Sequence, residues 1–403
     1  MISLEPQRNG KEAALRPVGE PVNTSRLPVL LAALLLAPPA FAREAAAPAP
    51  APRSAKPVRP TPEEILQTQC RELAADPAIP WFLTHGITGV GRSFRARDGR
   101  LAADVLVADH TLALEAGNAG KFGFPRATPE GEPVDAHPNF VLKTLVQAGF
   151  PLATSWKTKV GKVSLGDLVE SARRSFRHVP TSETYWQEVG WTLDLFAATM
   201  RPGAAGIFVD GAGHRIDLNA VMDEALAVLE RENASLAEGK ASGAKVVPKR
   251  KQGIYRHPCG GLHLIQGVAS WARHPEVREK WGERLDRQVD LLFYRERSER
   301  AQYDQVFANN ANHHLEILAQ KLKFYGHLLE TLGRMEKEFG FSFTPVQKAE
   351  IRAIRGQLLL TVRQMEQIDV WSSMRRLRLT RPKLWRELVG DACHAANALR
   401  LVP

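Results

Sequence analysis

Tyr255-Arg256-His257-Pro258-Cys259-Gly260-Gly261-Leu262-His263-Leu264-Ile265-Gln266-Gly267 brings two histidines, a cysteine and three glycines up against an apolar run. Pro258 fixes its own φ and disfavours helical backbone at His257, so a helix is predicted to start at Pro258. Gly260 and Gly261 inside that helix would each cost about 1 kcal/mol relative to alanine. A chain carries such a cost where another helix or a ligand must come close to its backbone. On the predicted helix Cys259 and His263 share a face. His257 sits just ahead of the N-terminus, where free N–H groups favour anions. One reading is a pocket wall with His257 or His263 as acid, base or ligand. The other is close helix packing around a buried, hydrogen-bonded histidine.

Outward from this stretch, apolar residues recur at helical spacing over most of the chain. The segments around 139–149, 183–199, 258–271, 311–333 and 382–400 carry glycine, histidine or tryptophan within their apolar faces. Those between them, around 164–177, 218–237, 276–296 and 345–370, are plainer amphipathic helices with one charged side. Such alternation predicts an inner layer contacted on both sides and an outer layer facing solvent. The expected fold class is therefore all-α, with antiparallel helical hairpins forming an α/α toroid or solenoid. One short β-hairpin is expected over residues 207–217, around Gly211-Ala212-Gly213. In a toroid the inner helix ends line a central cavity, and the Tyr255–Gly267 stretch would face it.

Local signals set several boundaries. Thr61-Pro62-Glu63-Glu64 and Thr344-Pro345-Val346-Gln347 each combine a capping box with proline in the first turn. Ser164-Leu165-Gly166-Asp167 begins another helix, and Arg201-Pro202-Gly203 ends one. Residues 80–130 are the least regular, with a helix expected from Leu101 to Ala116. Residues 238–253 hold Lys240, Lys245, Lys249, Arg250 and Lys251. They read as a mobile basic loop, either a solvated connector or an arm collecting anions over the site.

The 403-residue chain has 44% hydrophobic and 24% charged residues, ordinary for a globular protein, and a formal net charge of +10. That basicity admits an acidic polymer as partner, and acidic polysaccharide is the expectation. No nucleic-acid-binding motif is present, so nucleic acid is not expected. Arg26 precedes the apolar run from Leu27 to Ala37, and Ala40-Phe41-Ala42 follows as a cleavage signal. Residues 1–42 are expected to be a signal peptide, with Val22 an alternative start, since Glu5, Glu12 and Glu20 spoil the basic n-region. The apolar run is shorter than the ~20 residues of a spanning helix, so no membrane span is expected after cleavage. The mature protein is expected in the periplasm or outside the cell. Residues 43–60 read as an alanine- and proline-rich disordered linker, and 61–403 as a single large helical domain. Of three cysteines, at most one internal pair can form. Cys70 and Cys393 look like core residues, and a Cys259 disulfide has no partner assigned by sequence.

Asn309-Asn310-Ala311-Asn312-His313-His314 is the second polar cluster. It resembles the Asn-Asn-His motif of α/α-toroid polysaccharide lyases such as the alginate lyases. Ala311 and Asn312 separate Asn310 from His313, and no Tyr-Trp pair follows, so the match covers about six residues. The resemblance implies that Asn310 binds a uronate carboxylate, His313 acts as base and Tyr255 as acid. Cys259-Gly260-Gly261-Leu262-His263 is similar to the glycine-rich inner helix of lanthionine-synthetase-type and terpene-cyclase-type toroids. The candidate site residues are thus His257, His263, Tyr255, Asn310 and His313. His257, Cys259 and His263 could ligate zinc, but paired Cys-x-x-Cys and His-Glu-x-x-His are missing, so no metal and no cofactor are expected. Two functions compete: a non-enzymatic exported protein binding a polymer or partner in a central groove, and a lyase or glycosidase acting on acidic polysaccharide.

Overall fold

The Thr61 hydroxyl accepts from the Glu64 N–H, and the Glu64 carboxylate accepts from the Thr61 N–H at 2.7 Å. This reciprocal cap starts α1 (Pro62–Leu73) where the sequence predicts a start. The computed structural model describes residues 59–402 apart from 115–120, 183, 250 and 258. The expected signal peptide, nearly all of the expected linker, and Pro258 lie outside the described residues. Two further helices follow, α2 (Pro80–Val90) and α3 (Ala102–His110). α3 stops at His110 rather than running on to Ala116, because Thr111 turns extended and its hydroxyl donates to the Val107 carbonyl.

Two-residue strands β1 (Leu112–Ala113) and β2 (Phe122–Gly123) pair antiparallel ahead of α4 (Phe140–Gln147). A second hairpin, β3 (Ser155–Thr158) with β4 (Gly161–Ser164), leads into α5 (Leu165–Ser175), which is capped by Ser164 and Asp167. Then come α6 (Tyr185–Glu188) and α7 (Gly190–Thr199). The expected hairpin is β5 (Ile207–Val209) with β6 (Arg215–Asp217). Among the described residues three hairpins therefore stand where the sequence pattern predicts one; β1 and β2 are too short to show an alternation, and β3–β4 lacks the Gly-Ala-Gly turn that marks β5–β6.

The remainder is helical: α8 (Leu218–Glu232), α9 (Ala234–Ala241), α10 (Leu262–Trp271) and α11 (Pro275–Asn309), the last kinked at Gly282. The chain ends in α12 (His314–Lys337), α13 (Pro345–Gln367), α14 (Met374–Thr380) and α15 (Pro382–Leu401). Among the described residues no helix is long and apolar enough to cross a membrane.

Six helices contact one another in a cycle. α2 packs on α4, α4 on α7, α7 on α10, α10 on α12, α12 on α15, and α15 on α2. α1, α5, α8, α11 and α13 each pack against a member of that cycle. The members meet closely where side chains are absent. A Cβ on Gly190 would lie 2.8 Å from the His263 carbonyl carbon and from the Leu264 nitrogen, so α7 rests on the backbone of α10. Gly190→Ala should therefore lower stability by about 1–3 kcal/mol through overpacking. Gly356→Ala, exposed on α13 with nothing within 4 Å of the new methyl, should raise it by up to ~1 kcal/mol. Thermal melts of the two variants check the pair; equal shifts would remove close packing as the reason for Gly190.

The organising stretch departs from its predicted form. α10 begins at Leu262, and Gly260 and Gly261 precede it with φ of 53° and 78°. They serve as left-handed turn residues, which glycine adopts without steric cost, and not as gaps in a helix wall. Cys259 and His263 are accordingly not on one helix face. The basic loop is also more packed than expected. The Val247 N–H donates to the Ser298 hydroxyl at 2.8 Å, and Lys249 lies 3.6 Å from the Glu299 carboxylate, with its side chain largely buried.

Candidate functional site

All six helices of the cycle contribute to one cavity of about 260 Å³. α2 supplies Trp81 and His85, α4 supplies Phe140, α7 supplies Trp191 and α10 supplies His263. α12 adds Lys323 and His327, and α15 adds Asp391 and His394 at depth, with Lys383, Arg386 and Glu387 also in the wall. His137, His257 and Cys259 enter from loops. Six histidines thus meet in a space the size of a small-molecule site.

Aromatic stacking and backbone bonds hold the rings. His137 stacks parallel on Trp191 at 4.0 Å, and His263 packs on the same indole at 4.2 Å. His85 bonds through Nδ1 to the Trp81 carbonyl at 2.7 Å. A carbonyl only accepts, so this nitrogen carries the proton and Nε2 is left with its lone pair. His394 Nδ1 is 2.9 Å from Glu330 Oε2, and Asn397 donates to the other carboxylate oxygen at 2.6 Å. The Cys259 N–H donates to His257 Nδ1 at 3.2 Å. His137 Nδ1 lies 2.8 Å from the Glu188 carboxylate.

Several polar groups in the wall have no partner. Nδ1 of His263, Nδ1 of His327 and Oδ2 of Asp391 are buried without a hydrogen bond. Each buried, unsatisfied polar atom costs about 1–3 kcal/mol, so their convergence on one cavity suggests a ligand-binding role.

Burial dominates the electrostatics. It pushes His257 down to about 3 and His327 down to about 4, with neighbouring histidines adding to the shift. His85 and His263 are held well below the ordinary histidine range by burial first, then by His394 and His327 respectively. These four rings are neutral at physiological pH. Burial raises the Cys259 thiol to about 12. For Lys323, burial favours the neutral amine, but the Asp391 carboxylate 3.1 Å away more than reverses this and holds the charge.

Of the residues expected from sequence, His257 and His263 line the cavity. Tyr255 does not. Its hydroxyl donates to Asn233 at 2.5 Å, and its ring lies 5.0 Å from the Arg295 guanidinium, in a separate polar pocket between α9 and α11. Asn310 and His313 do not line it either. Asn310 ends α11, where its side chain donates to the Val306 carbonyl, and His313 lies in a single 3-10 turn before α12. The lyase-like cluster therefore does not line the histidine cavity, and Tyr255 lines the other pocket. Sequence reasoning missed His85, His137, Lys323, His327, Asp391 and His394. The signal for three of these was present: His85, His327 and His394 interrupt the apolar faces of inner helices, where a buried histidine needs a partner.

Compared with known protein families, curated proteins and solved structures, the chain matches none.

Proposed function

We propose that this is an exported α/α-toroid protein that takes the acidic end of a polymer, such as a uronate-containing polysaccharide, into its histidine cavity. The cycle of six contacting helices, all but α7 packed against one of α1, α5, α8, α11 and α13, supports the toroid reading. The carrying observation is the single cavity to which every member of that cycle contributes, with Lys323 in its wall and Lys383 and Arg386 beside α14. Arg375, Arg376, Arg378 and Arg381 are exposed on α14 and just ahead of α15, with Arg378 3.8 Å from Asp76 and Arg381 2.8 Å from Glu316. Such a run would steer a polyanion and hold its exposed length. The small volume favours capture of a chain end over passage of a chain. The Cys70–Cys393 disulfide supports an oxidising compartment, consistent with the expected signal peptide. N-terminal sequencing of exported protein should then give Arg43 first.

A second reading, that the cavity is a lyase or glycosidase active site, draws on the unpartnered ring nitrogens of His263 and His327. In an elimination, an imidazole nitrogen would take the C5 proton beside the uronate carboxylate, the C4–O bond would break with the departing oxygen protonated from solvent, and the unsaturated C4=C5 product would absorb ultraviolet light.

Calorimetric titration with oligogalacturonate and oligoalginate tests the binding reading. Arg386→Ala should weaken binding about tenfold, equivalent to ~1.4 kcal/mol. Arg287→Ala, exposed on α11, should leave it unchanged. No binding of either oligomer by the wild type would sink the acidic-polymer reading, and absorbance of the same mixtures separates binder from lyase.

A further inference from the structure

We propose that Cys259, His263 and His327 hold a zinc ion in the wall of the cavity, with a fourth coordination position open to the cavity's ligand. This rests on the reading that the cavity is the functional site, and goes beyond it by naming a resident metal.

The donors come from three different places in the chain: the turn before α10, α10 itself and α12. The sulfur of Cys259 and one ring nitrogen each of His263 and His327 lie within 4.8 Å of one another. Ligands around tetrahedral zinc are about 3.5 Å apart, given Zn–S near 2.3 Å and Zn–N near 2.0 Å. Closure by about 1 Å is within reach of small side-chain rotations. All three residues are more than nine-tenths buried and line the cavity. Thiolate with imidazole is a donor set that suits zinc.

The unpartnered buried nitrogens point independently to a ligand. Nδ1 of His263 and of His327 have no hydrogen-bond partner. His327 also has a carboxylate near each ring nitrogen, with Glu330 3.9 Å from Nδ1 and Asp391 3.8 Å from Nε2. Whichever nitrogen binds metal, the other faces a carboxylate that can orient the ring, the usual support of a metal-bound histidine.

Charge balance suggests what the fourth ligand is. Lys143, Lys323 and Arg334 are buried near the cavity, against Asp194, Glu330 and Asp391. These three positive and three negative groups cancel, and Lys383, Arg386 and Glu387 in the wall leave one further positive charge. Zinc binding would release the Cys259 thiol proton to solvent, and Zn²⁺ with one thiolate adds a single net positive charge. An anionic fourth ligand, hydroxide or a substrate carboxylate, offsets the charge that zinc adds. Three protein donors and one open position are the arrangement of a catalytic rather than a structural zinc.

Among the described residues two other groups have metal-ligand spacing. His327, Glu330 and His394 lie within 4.8 Å, but the Glu330 carboxylate is already engaged by His394 and Asn397. His137, Glu188 and His257 are only partly buried and contain an ordinary His137–Glu188 hydrogen bond. Neither offers a thiolate, so the test reads the sulfur.

Untagged full-length protein is loaded with Zn²⁺, dialysed and assayed for metal by mass spectrometry; a second sample is loaded with Co²⁺ for absorbance. The expected result is one zinc per chain and a thiolate-to-cobalt charge-transfer band. Cys259→Ser, nearly isosteric, should abolish the band. It should weaken zinc binding by at least the roughly 10–100-fold lost when only a supporting group is removed. His263→Gln should weaken zinc similarly, and His178→Gln, outside the cavity, should change neither reading. Circular dichroism and melts confirm folding. Should His263→Gln not fold, Cys259→Ser alone decides. Zinc bound equally well by Cys259→Ser, a cobalt spectrum without the thiolate band, or no stoichiometric metal in the wild type each overturns the proposal. Oligouronate binding by metal-free protein that zinc does not alter would remove the open coordination position and leave the acidic-polymer reading standing. Zinc binding without any oligouronate binding would do the reverse.

Discussion

Asp194→Ala should destabilise the folded protein by about 3–5 kcal/mol, the cost of removing one partner from a buried ion pair. Asp194 is fully buried on α7, and Arg334 of α12 grips it with two hydrogen bonds, of 2.7 and 3.1 Å. Gln147 of α4 donates to it at 2.8 Å, and Lys143 of the same helix lies 3.5 Å away. One carboxylate thus ties α4, α7 and α12 together; its loss takes the carboxylate from buried Lys143 and leaves Arg334 only Glu338 and Gln266. The melting temperature should fall by on the order of 10 °C for a domain of this size. The acid side of the stability curve offers a second readout. Burial raises the Asp194 carboxyl, but Arg334 and then Lys143 more than reverse this, so its net shift is downward. A carboxylate with a lowered folded pKa contributes stability above its unfolded value, near 3.9, and loses that contribution as pH falls through the folded value. Melts of the wild type between pH 7 and pH 3 should therefore show an acid loss that is smaller in Asp194→Ala. A drop of under 1 kcal/mol at neutral pH would mean that the ring of helices does not depend on this network.

Reducing the Cys70–Cys393 disulfide should cost a further ~3–5 kcal/mol, because it closes a loop with a sequence separation of 323. The bond joins α1 to α15, the first and last helices of the domain, and so removes much of the unfolded chain's freedom. Denaturant midpoints with and without reductant measure the effect. Cys70→Ser with Cys393→Ser should reproduce it, while Cys259→Ser should retain the full response to reductant, since Cys259 is a free buried thiol. A midpoint indifferent to reductant would show that helix packing alone holds the two ends.

The candidate site was only partly legible because its residues owe their meaning to neighbours distant in the chain. His257 and His263 stood out through an unusual local composition. His85, His327 and His394 looked like isolated polar interruptions of apolar faces. Their rings come together, with His85 5.2 Å and His327 4.0 Å from His394, only once α2, α12 and α15 pack side by side. The missing Cys-x-x-Cys argued against a metal, yet Cys259, His263 and His327 meet across two helices and a turn, where no linear spacing could announce them. Conversely, the Asn309–His314 cluster is conspicuous in sequence and does not line the cavity.

What the sequence determined by itself is the set of features settled within a turn or two of backbone. The caps at Thr61, Ser164 and Thr344 are hydrogen bonds between residues three apart, so their side chains alone predict the helix starts. The alternation of plain and histidine-, glycine- or tryptophan-bearing helices is likewise a local property, because it records how many sides of each helix are covered. Tertiary structure decided the rest. Gly260 and Gly261 adopt positive φ in the turn between Cys259, which lines the cavity, and α10, a form that helix propensity alone does not reveal. Cys70 pairs with Cys393 rather than Cys259 because α1 packs on α15. These choices depend on contacts between residues tens to hundreds of positions apart, and their free energy appears only when the helices have docked.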